Sequence, residues 1–212
     1  MVRKIIPFIL FSIFMVQMSM NPLSAQHRKT QNRFDAYAHI GFNACQIDGD
    51  QSGPYNRFHL MGGVGTQFPL SKDSRNPFRM IIELNYSGKG SYVKQIDRTI
   101  DLSYVEIPLM LGYNAGSFRL AAGFAPAILI KSHVEDHNVF DPIQSDNYRK
   151  WDRLPFLLDF QYKTTDHLWL GVRFQTSLLT IAHQSGSGTY RISRSNMGQF
   201  HKLLSLSVGY KF

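Results

Sequence analysis

Leu204-Ser205-Leu206-Ser207-Val208-Gly209-Tyr210-Lys211-Phe212 alternates without a break. Leu204, Leu206, Val208, Tyr210 and Phe212 share one parity, and Ser205, Ser207, Gly209 and Lys211 share the other. Side chains of a strand point to opposite faces with period two, so this stretch predicts a strand with one large apolar face and one small or polar face.

The same split recurs upstream. Phe34, Ala36, Ala38, Ile40 and Phe42 oppose Asp35, Tyr37, His39, Gly41 and Asn43. Phe58, Leu60, Val64 and Phe68 oppose His59, Gly63, Gly65 and Gln67, and Phe78, Met80, Ile82, Leu84 and Tyr86 oppose Arg79, Ile81, Glu83, Asn85 and Ser87. Further copies set Phe118, Leu120, Ala122 and Phe124 against Arg119, Ala121, Gly123 and Ala125, and Leu168, Leu170, Val172 and Phe174 against Trp169, Gly171, Arg173 and Gln175. Leu154, Phe156, Leu158, Phe160 and Tyr162 oppose Asp159 and Gln161. The least regular copy is Asp101 to Tyr113, where Val105, Ile107, Leu109 and Leu111 oppose Glu106 and Pro108. Eight strands are expected, with almost nothing helical between them.

Short and long connections alternate. Residues 69–77, 114–117 and 163–166 are short; 46–56, 88–99, 131–150 and 183–198 are longer. In an up-and-down sheet alternate connections lie at opposite ends, so one end is trimmed and the other carries the bulk. Membrane barrels have this asymmetry, with short periplasmic turns and long outer loops. An eight-residue strand at ~3.3 Å per residue, tilted by about 40°, spans roughly the lipid-facing height between two aromatic girdles. Rings stand at both ends of the apolar faces Phe34–Phe42, Phe58–Phe68 and Phe78–Tyr86, as such girdles require. The expected fold is all-β, an eight-stranded antiparallel up-and-down transmembrane β-barrel. A sheet in lipid must close, because open edges leave backbone groups unpaired at several kcal/mol each.

A soluble exported barrel would alternate equally well with the faces exchanged, apolar inside and polar outside. Three features favour lipid outside. Large residues fill one face, while the other carries glycine, serine and charge. Both signs occur there, with Glu83, Glu106 and Asp159 against Arg119 and Arg173, which suits a narrow interior closed by ion pairs as a structural network. The chain ends on Tyr210 and Phe212 of the apolar face, the terminal pattern that serves outer-membrane barrels as an insertion signal for the barrel-insertion machinery.

Composition narrows the remainder. With 16 Phe, 10 Tyr and 2 Trp the chain is not of a disordered type, and with one cysteine it has no internal disulfide and no Cys-rich metal site. Arg3 and Lys4, an apolar run from Ile5 to Val16, and small residues ending at Ala25 form the three parts of a signal peptide. The apolar run is short of the ~20 residues of a spanning helix. Domains are therefore read as 1–25, signal peptide, and 26–212, barrel. Removal of the leader lowers the net charge from +8 to +6. The location expected is the outer membrane of a Gram-negative bacterium.

Tyr104-Val105-Glu106-Ile107-Pro108-Leu109-Met110-Leu111-Gly112-Tyr113 resembles a characteristic strand of PorT-like outer-membrane barrel proteins. Ala122-Gly123-Phe124-Ala125-Pro126 is similar to the family's next strand, and Gly209-Tyr210-Lys211-Phe212 to its ending. The resemblance spans 34–212. It implies an eight-stranded outer-membrane barrel and, through the founding member, a link to protein export by the type IX machinery. It brings no catalytic motif.

Candidate chemistry is sparse. His133-Val134-Glu135-Asp136-His137 gathers two imidazoles and two carboxylates, but on neither a predicted helix nor in a zinc-protease order, so no metal is assigned. Gly62-Gly63-Val64-Gly65 precedes no helix and is not a phosphate loop; glycine in a barrel strand relieves crowding. Gly88-Lys89-Gly90 is read as an outer-loop turn, and no cofactor is expected. Arg149, Lys150 and Arg153 cluster at the start of the sixth strand, and Arg191 and Arg194 lie in 183–198 without an acid. Arg149, Lys150, Arg191 and Arg194 are candidate contacts for lipopolysaccharide phosphates, for which arginine forks are suited.

The expected function is non-enzymatic: a structural or partner- and lipid-binding outer-membrane barrel, with outer-membrane lipid, lipopolysaccharide and an envelope or secretion protein as partners. Nucleic acid is not expected. One alternative is a lipid acyltransferase or hydrolase at the outer rim, which would need His183 and Ser185 to meet Asp101 and Ser103. Another is a narrow pore, although eight strands leave an interior just filled by side chains.

Overall fold

The computed structural model describes residues 34–48, 55–71, 76–94, 97–136, 148–181 and 199–212. The proposed leader, residues 1–25, lies outside them. Eleven strands follow one another: β1 (Asp35–Asp48), β2 (Arg57–Pro69), β3 (Phe78–Val93), β4 (Arg98–Glu106), β5 (Leu109–Ala115), β6 (Phe118–Phe124), β7 (Ala127–Asp136), β8 (Trp151–Asp152), β9 (Pro155–Lys163), β10 (Leu168–Ser177) and β11 (Phe200–Lys211). They make eight staves, because β4 with β5, β6 with β7 and β8 with β9 each run as one. Neighbours pair antiparallel all the way round, and β1 closes on β11 from Tyr37 opposite Lys211 to Asp48 opposite Phe200. The fold is a closed, eight-stave, antiparallel barrel.

The three breaks have a common cause. Pro108, Pro126 and Pro155 lie at or beside them, and proline has no N–H to give the ladder. Its carbonyl still accepts. Glu83 N–H donates to Pro108 O at 3.0 Å, Ile107 N–H to Pro126 O at 3.0 Å and Ala125 N–H to Pro155 O at 2.9 Å, so the wall is continuous across the seam. The register of β4 on β7 also shifts between Ser103 and Tyr104: Ser103 faces Lys131 and Tyr104 faces Leu129, leaving Ile130 as the extra, exposed residue of a bulge. Proline and bulge together explain why Asp101–Tyr113 alternates least regularly.

Parity resolves in one direction. Ile40, Phe42, Leu60, Val64, Leu84, Leu109, Leu111, Leu120, Leu170 and Leu206 point outward and are exposed, while Tyr37, Glu83, Asn85, Asp159, Gln161 and Arg173 point inward and are buried. Rings gather at both rims of this outer band. Phe78 meets Tyr113 at 5.4 Å between centroids, Phe118 meets Tyr162 at 5.1 Å and Tyr210 meets Phe212 at 5.7 Å at the short-turn end. Phe42, Phe58, Tyr86 and Trp151 stand exposed toward the other.

Two expectations about loops are corrected. Residues 88–99 are not a long loop: β3 continues to Val93 and pairs with β4 from Arg98. Residues 131–136 continue β7 against β4. The period-two signal persists there with glycine and polar residues, which resemble loop composition when the outer face no longer needs apolar side chains.

Glycine makes room for interior rings. A Cβ on Gly209 would lie 2.1 Å from two indole carbons of Trp169, which packs edge-on against Tyr37 at 5.9 Å. Gly209→Ala is expected to displace this indole and to destabilise the barrel by about 1–3 kcal/mol, the usual range for overpacking. The unfolding midpoint in denaturant and the tryptophan emission maximum report it; if neither moves, the ring is not held as described.

Candidate functional site

The barrel centre is an ion network. Arg173 of β10 donates from Nη1 and Nη2 to Glu83 Oε2 and Oε1 of β3, at 2.8 and 3.0 Å, and from Nε to Asp159 Oδ1 of β9 at 2.9 Å. Tyr37 Oη donates to Glu83 Oε1 at 2.7 Å, Asn85 Nδ2 to Glu83 Oε2 at 2.8 Å and Gln161 Nε2 to Asp159 Oδ2 at 2.7 Å. These groups come from four staves, yet Arg173 and Asp159 stand directly opposite each other in the β10–β9 ladder. Tyr37, Ile81, Met110, Ala121, Leu157 and Trp169 form the apolar packing that shares this interior.

A second cluster lies toward the long-loop end. Lys89 Nζ pairs with Glu106 Oε1 at 2.6 Å and sits 4.7 Å from the Tyr104 ring centroid, while Gln175 Nε2 donates to the same Glu106 oxygen at 2.9 Å. Tyr104 Oη lies 3.2 Å from His201 Nε2. Ile47, Ile100, Leu102, Tyr104, Ala127 and Ile181 cap it with a small apolar core.

Of the five interior charges expected, Glu83, Asp159 and Arg173 share one network and Glu106 belongs to the other. Arg119 sits near the short-turn mouth, donating to Asn114 Oδ1 at 3.0 Å and Gln161 Oε1 at 2.9 Å rather than to a carboxylate. Lys89, read as part of an outer-loop turn, is fully buried in β3. Its signal was present: from Arg79 to Ser91 every odd position except Ile81 is polar, so Lys89 continues the inward parity.

The long-loop mouth is partly covered. Pairing of β2 with β3 ends at Met61 opposite Ser87, but β3 and β4 continue together from Gly88 opposite Ser103 to Val93 opposite Arg98. Arg57 and His59, on the inward parity of β2, reach Asp101 on the outward parity of β4. Arg57 Nε and Nη2 lie 2.9 and 2.7 Å from the two Asp101 oxygens, and His59 Nε2 lies 3.2 Å away. The β3–β4 hairpin therefore leans inward across the opening. Gly90 permits this, since a Cβ there would come within 2.7 Å of His59 Nε2.

Other sequence candidates are dispersed. Arg149 is only 8% exposed, which corrects its reading as a surface contact, and its backbone N–H donates to Ile181 O at 2.7 Å. Lys150 is exposed, and Arg191 and Arg194 lie outside the described residues. His133 Nε2 meets Glu135 Oε1 at 2.6 Å on an exposed face; His137 lies outside the described residues. Among the described residues no group of three or more His, Cys, Asp or Glu is placed to hold a metal. Asp101 is engaged by Arg57 and His59, and Ser103 Oγ lies 3.0 Å from Tyr86 Oη; His183 and Ser185 lie outside the described residues. Tyr210 and Phe212 stand exposed on the outer face. At the short-turn end Lys163 holds the Asp166 carboxyl below its usual range through a 2.7 Å contact.

A closed barrel with a charged, hydrogen-bonded interior and an apolar exterior is the architecture of a membrane barrel. The family profile of the outer membrane protein beta-barrel domain matches residues 24–183. The chain belongs to this family. The outward apolar surface of this outer-membrane barrel is its lipid-facing band. Among solved structures it is similar to Ail, the attachment invasion locus protein of Yersinia pestis (11% identity, 84% of this chain and 98% of that one, TM-score 0.46). Others are Neisserial surface protein A (11% identity, 84% and 97%, TM-score 0.46) and OprG of Pseudomonas aeruginosa (12% identity, 84% and 95%, TM-score 0.40). No curated protein matches the sequence.

Proposed function

We propose that the chain is a non-enzymatic, non-conducting barrel that serves as a membrane-anchored scaffold, engaging an envelope or secretion protein at its rims. The observation that carries this reading is the filled interior. Arg173, Glu83, Asp159, Tyr37 and Trp169 occupy the middle, Lys89, Glu106, Tyr104 and His201 follow, and the β3–β4 hairpin leans over the opening. An interior occupied by so many buried polar groups among the described residues is consistent with a wall whose work is done at its ends. Chemistry in the interior would need exposed reactive groups, whereas Glu83 and Asp159 are engaged with Arg173, and Glu106 with Lys89.

Planar-bilayer recording of the refolded full chain tests the first part: no large steady openings are expected, and their presence would sink it. The resemblance of Tyr104–Tyr113 to PorT-like barrels supports protein export as the process served. Deleting the gene is then expected to change the secreted-protein profile while leaving other outer-membrane barrels at normal levels. An unchanged secreted profile would remove the export assignment. Lipopolysaccharide contact is carried by Lys150 among the described candidates.

A further inference from the structure

The short-turn mouth holds a cavity of about 240 Å³, lined by residues from all eight staves and from the turns at 116–117 and 165–167. Its charges do not balance in pairs. Lys211 Nζ contacts Asp35 Oδ1 at 3.0 Å and Lys163 Nζ contacts Asp166 Oδ1 at 2.7 Å, which accounts for both carboxylates of the lining. Two guanidiniums remain. Among the described residues Arg119 is bonded only to the neutral amide oxygens of Asn114 and Gln161, which orient it without neutralising it. Among the described residues no hydrogen bond or ion pair ties Arg79.

The ladder brings these two arginines to adjacent positions around one stave. Arg79 stands opposite Gly112 across β3 and β5, and Asn114, the next inward residue of β5, stands opposite Arg119 across β5 and β6. Gly112 puts no side chain between them. Asn114 fixes the Arg119 Nε edge and Gln161 one Nη, so the remaining donors are available to the cavity. A guanidinium has five N–H donors in a fork that matches carboxylate and phosphate oxygens. The cavity has room for about eight water molecules at their liquid volume, enough for an anionic head group and too little for a folded segment.

We propose that this mouth is a binding site for a compact anionic group, a carboxylate or phosphate, held between Arg79 and Arg119. Because short turns of such barrels face the periplasm, the ligand is presented from that side. The inference stands apart from the export reading, since it rests on the charge and geometry of the mouth alone.

The test uses the refolded full chain in an uncharged detergent, titrated calorimetrically with inorganic phosphate and, separately, with N-acetylglycine as the carboxylate probe. Saturable binding of at least one is expected, and the preferred probe identifies the source. Arg79→Gln is expected to weaken it by about tenfold or more, the loss of a charge-assisted hydrogen bond. This variant removes no described contact, so its folding is retained. Arg119→Lys keeps the charge but not the fork, and is expected to weaken binding as well. Lys131→Gln, an exposed position of β7 away from this mouth, is expected to change nothing. Absence of saturable binding to both probes, or binding undiminished in Arg79→Gln, would overturn the proposal.

Discussion

Arg173→Met is expected to destabilise the barrel by about 3–5 kcal/mol, the cost of leaving a buried charge without its partner. Arg173 is 4% exposed and is the common donor to Glu83 and Asp159, both 2% exposed. Its removal strands two carboxylates inside a wall that admits little water. Tyr37, Asn85 and Gln161 still donate one bond each, but none brings positive charge. Methionine approximates the volume of the arginine stem, so the loss reports charge rather than a cavity. Equilibrium urea unfolding from lipid vesicles, or the temperature at which the folded band is lost on a gel, measures it. Glu83→Gln and Asp159→Asn added to Arg173→Met should recover a large part of the loss, because buried ion clusters are often replaceable as a unit by neutral groups. If Arg173→Met unfolds at the wild-type midpoint, the three charges are not closed together in the folded protein.

Ile40→Arg is expected to cost about 2–4 kcal/mol, the value for a cation on the lipid face at the bilayer midplane. Ile40 is 61% exposed and lies midway along the outward face of β1, opposite Val208 of β11 and Gly62 of β2. In water the same exchange at so exposed a site would stay within roughly 0.5 kcal/mol. Leu70→Arg supplies the depth control: Leu70 is exposed at the short-turn rim, where an arginine costs about 0–1 kcal/mol. Folding free energies into vesicles for both variants therefore measure where the bilayer lies. Equal costs at the two positions would contradict a lipid-facing band centred on β1.

The candidate sites were legible to different degrees. Glu83, Asp159 and Arg173 could be assigned to the interior because they fall on the small-residue parity of regular strands. Which acid meets which base could not, since the Arg173 contact to Glu83 crosses 90 positions of sequence. Lys89 was hidden by its two glycines. Gly88 and Gly90 carry a turn-like composition, yet their role is to let His59 lie against the hairpin. Arg149 looked like a surface cation because nothing local marks burial; its neighbour Tyr148 packs against an apolar cluster assembled from Ile47, Ile100, Leu102 and Ile181, which are distant in sequence. The pairing of Arg79 and Arg119 at the mouth is not legible in the sequence for the same reason, as the two belong to different hairpins.

Periodicity in the sequence was sufficient for the eight staves, their up-and-down order and the trimmed end, because a strand repeats every two residues and every stave obeys that local rule. Periodicity alone does not choose which parity faces inward, since exchanging the two faces leaves the alternation unchanged; the size and charge of the residues on each face point to the choice. Closure makes that choice: the curved wall has room inside for Gly63, Gly65 and Gly209 beside Tyr37 and Trp169, and leaves Ile40, Leu60 and Leu206 outside. The inward lean of the β3–β4 hairpin, the pairing of charges and the two unmatched arginines at the mouth were likewise decided only by tertiary structure. Each depends on stagger and curvature between staves, which no single strand encodes.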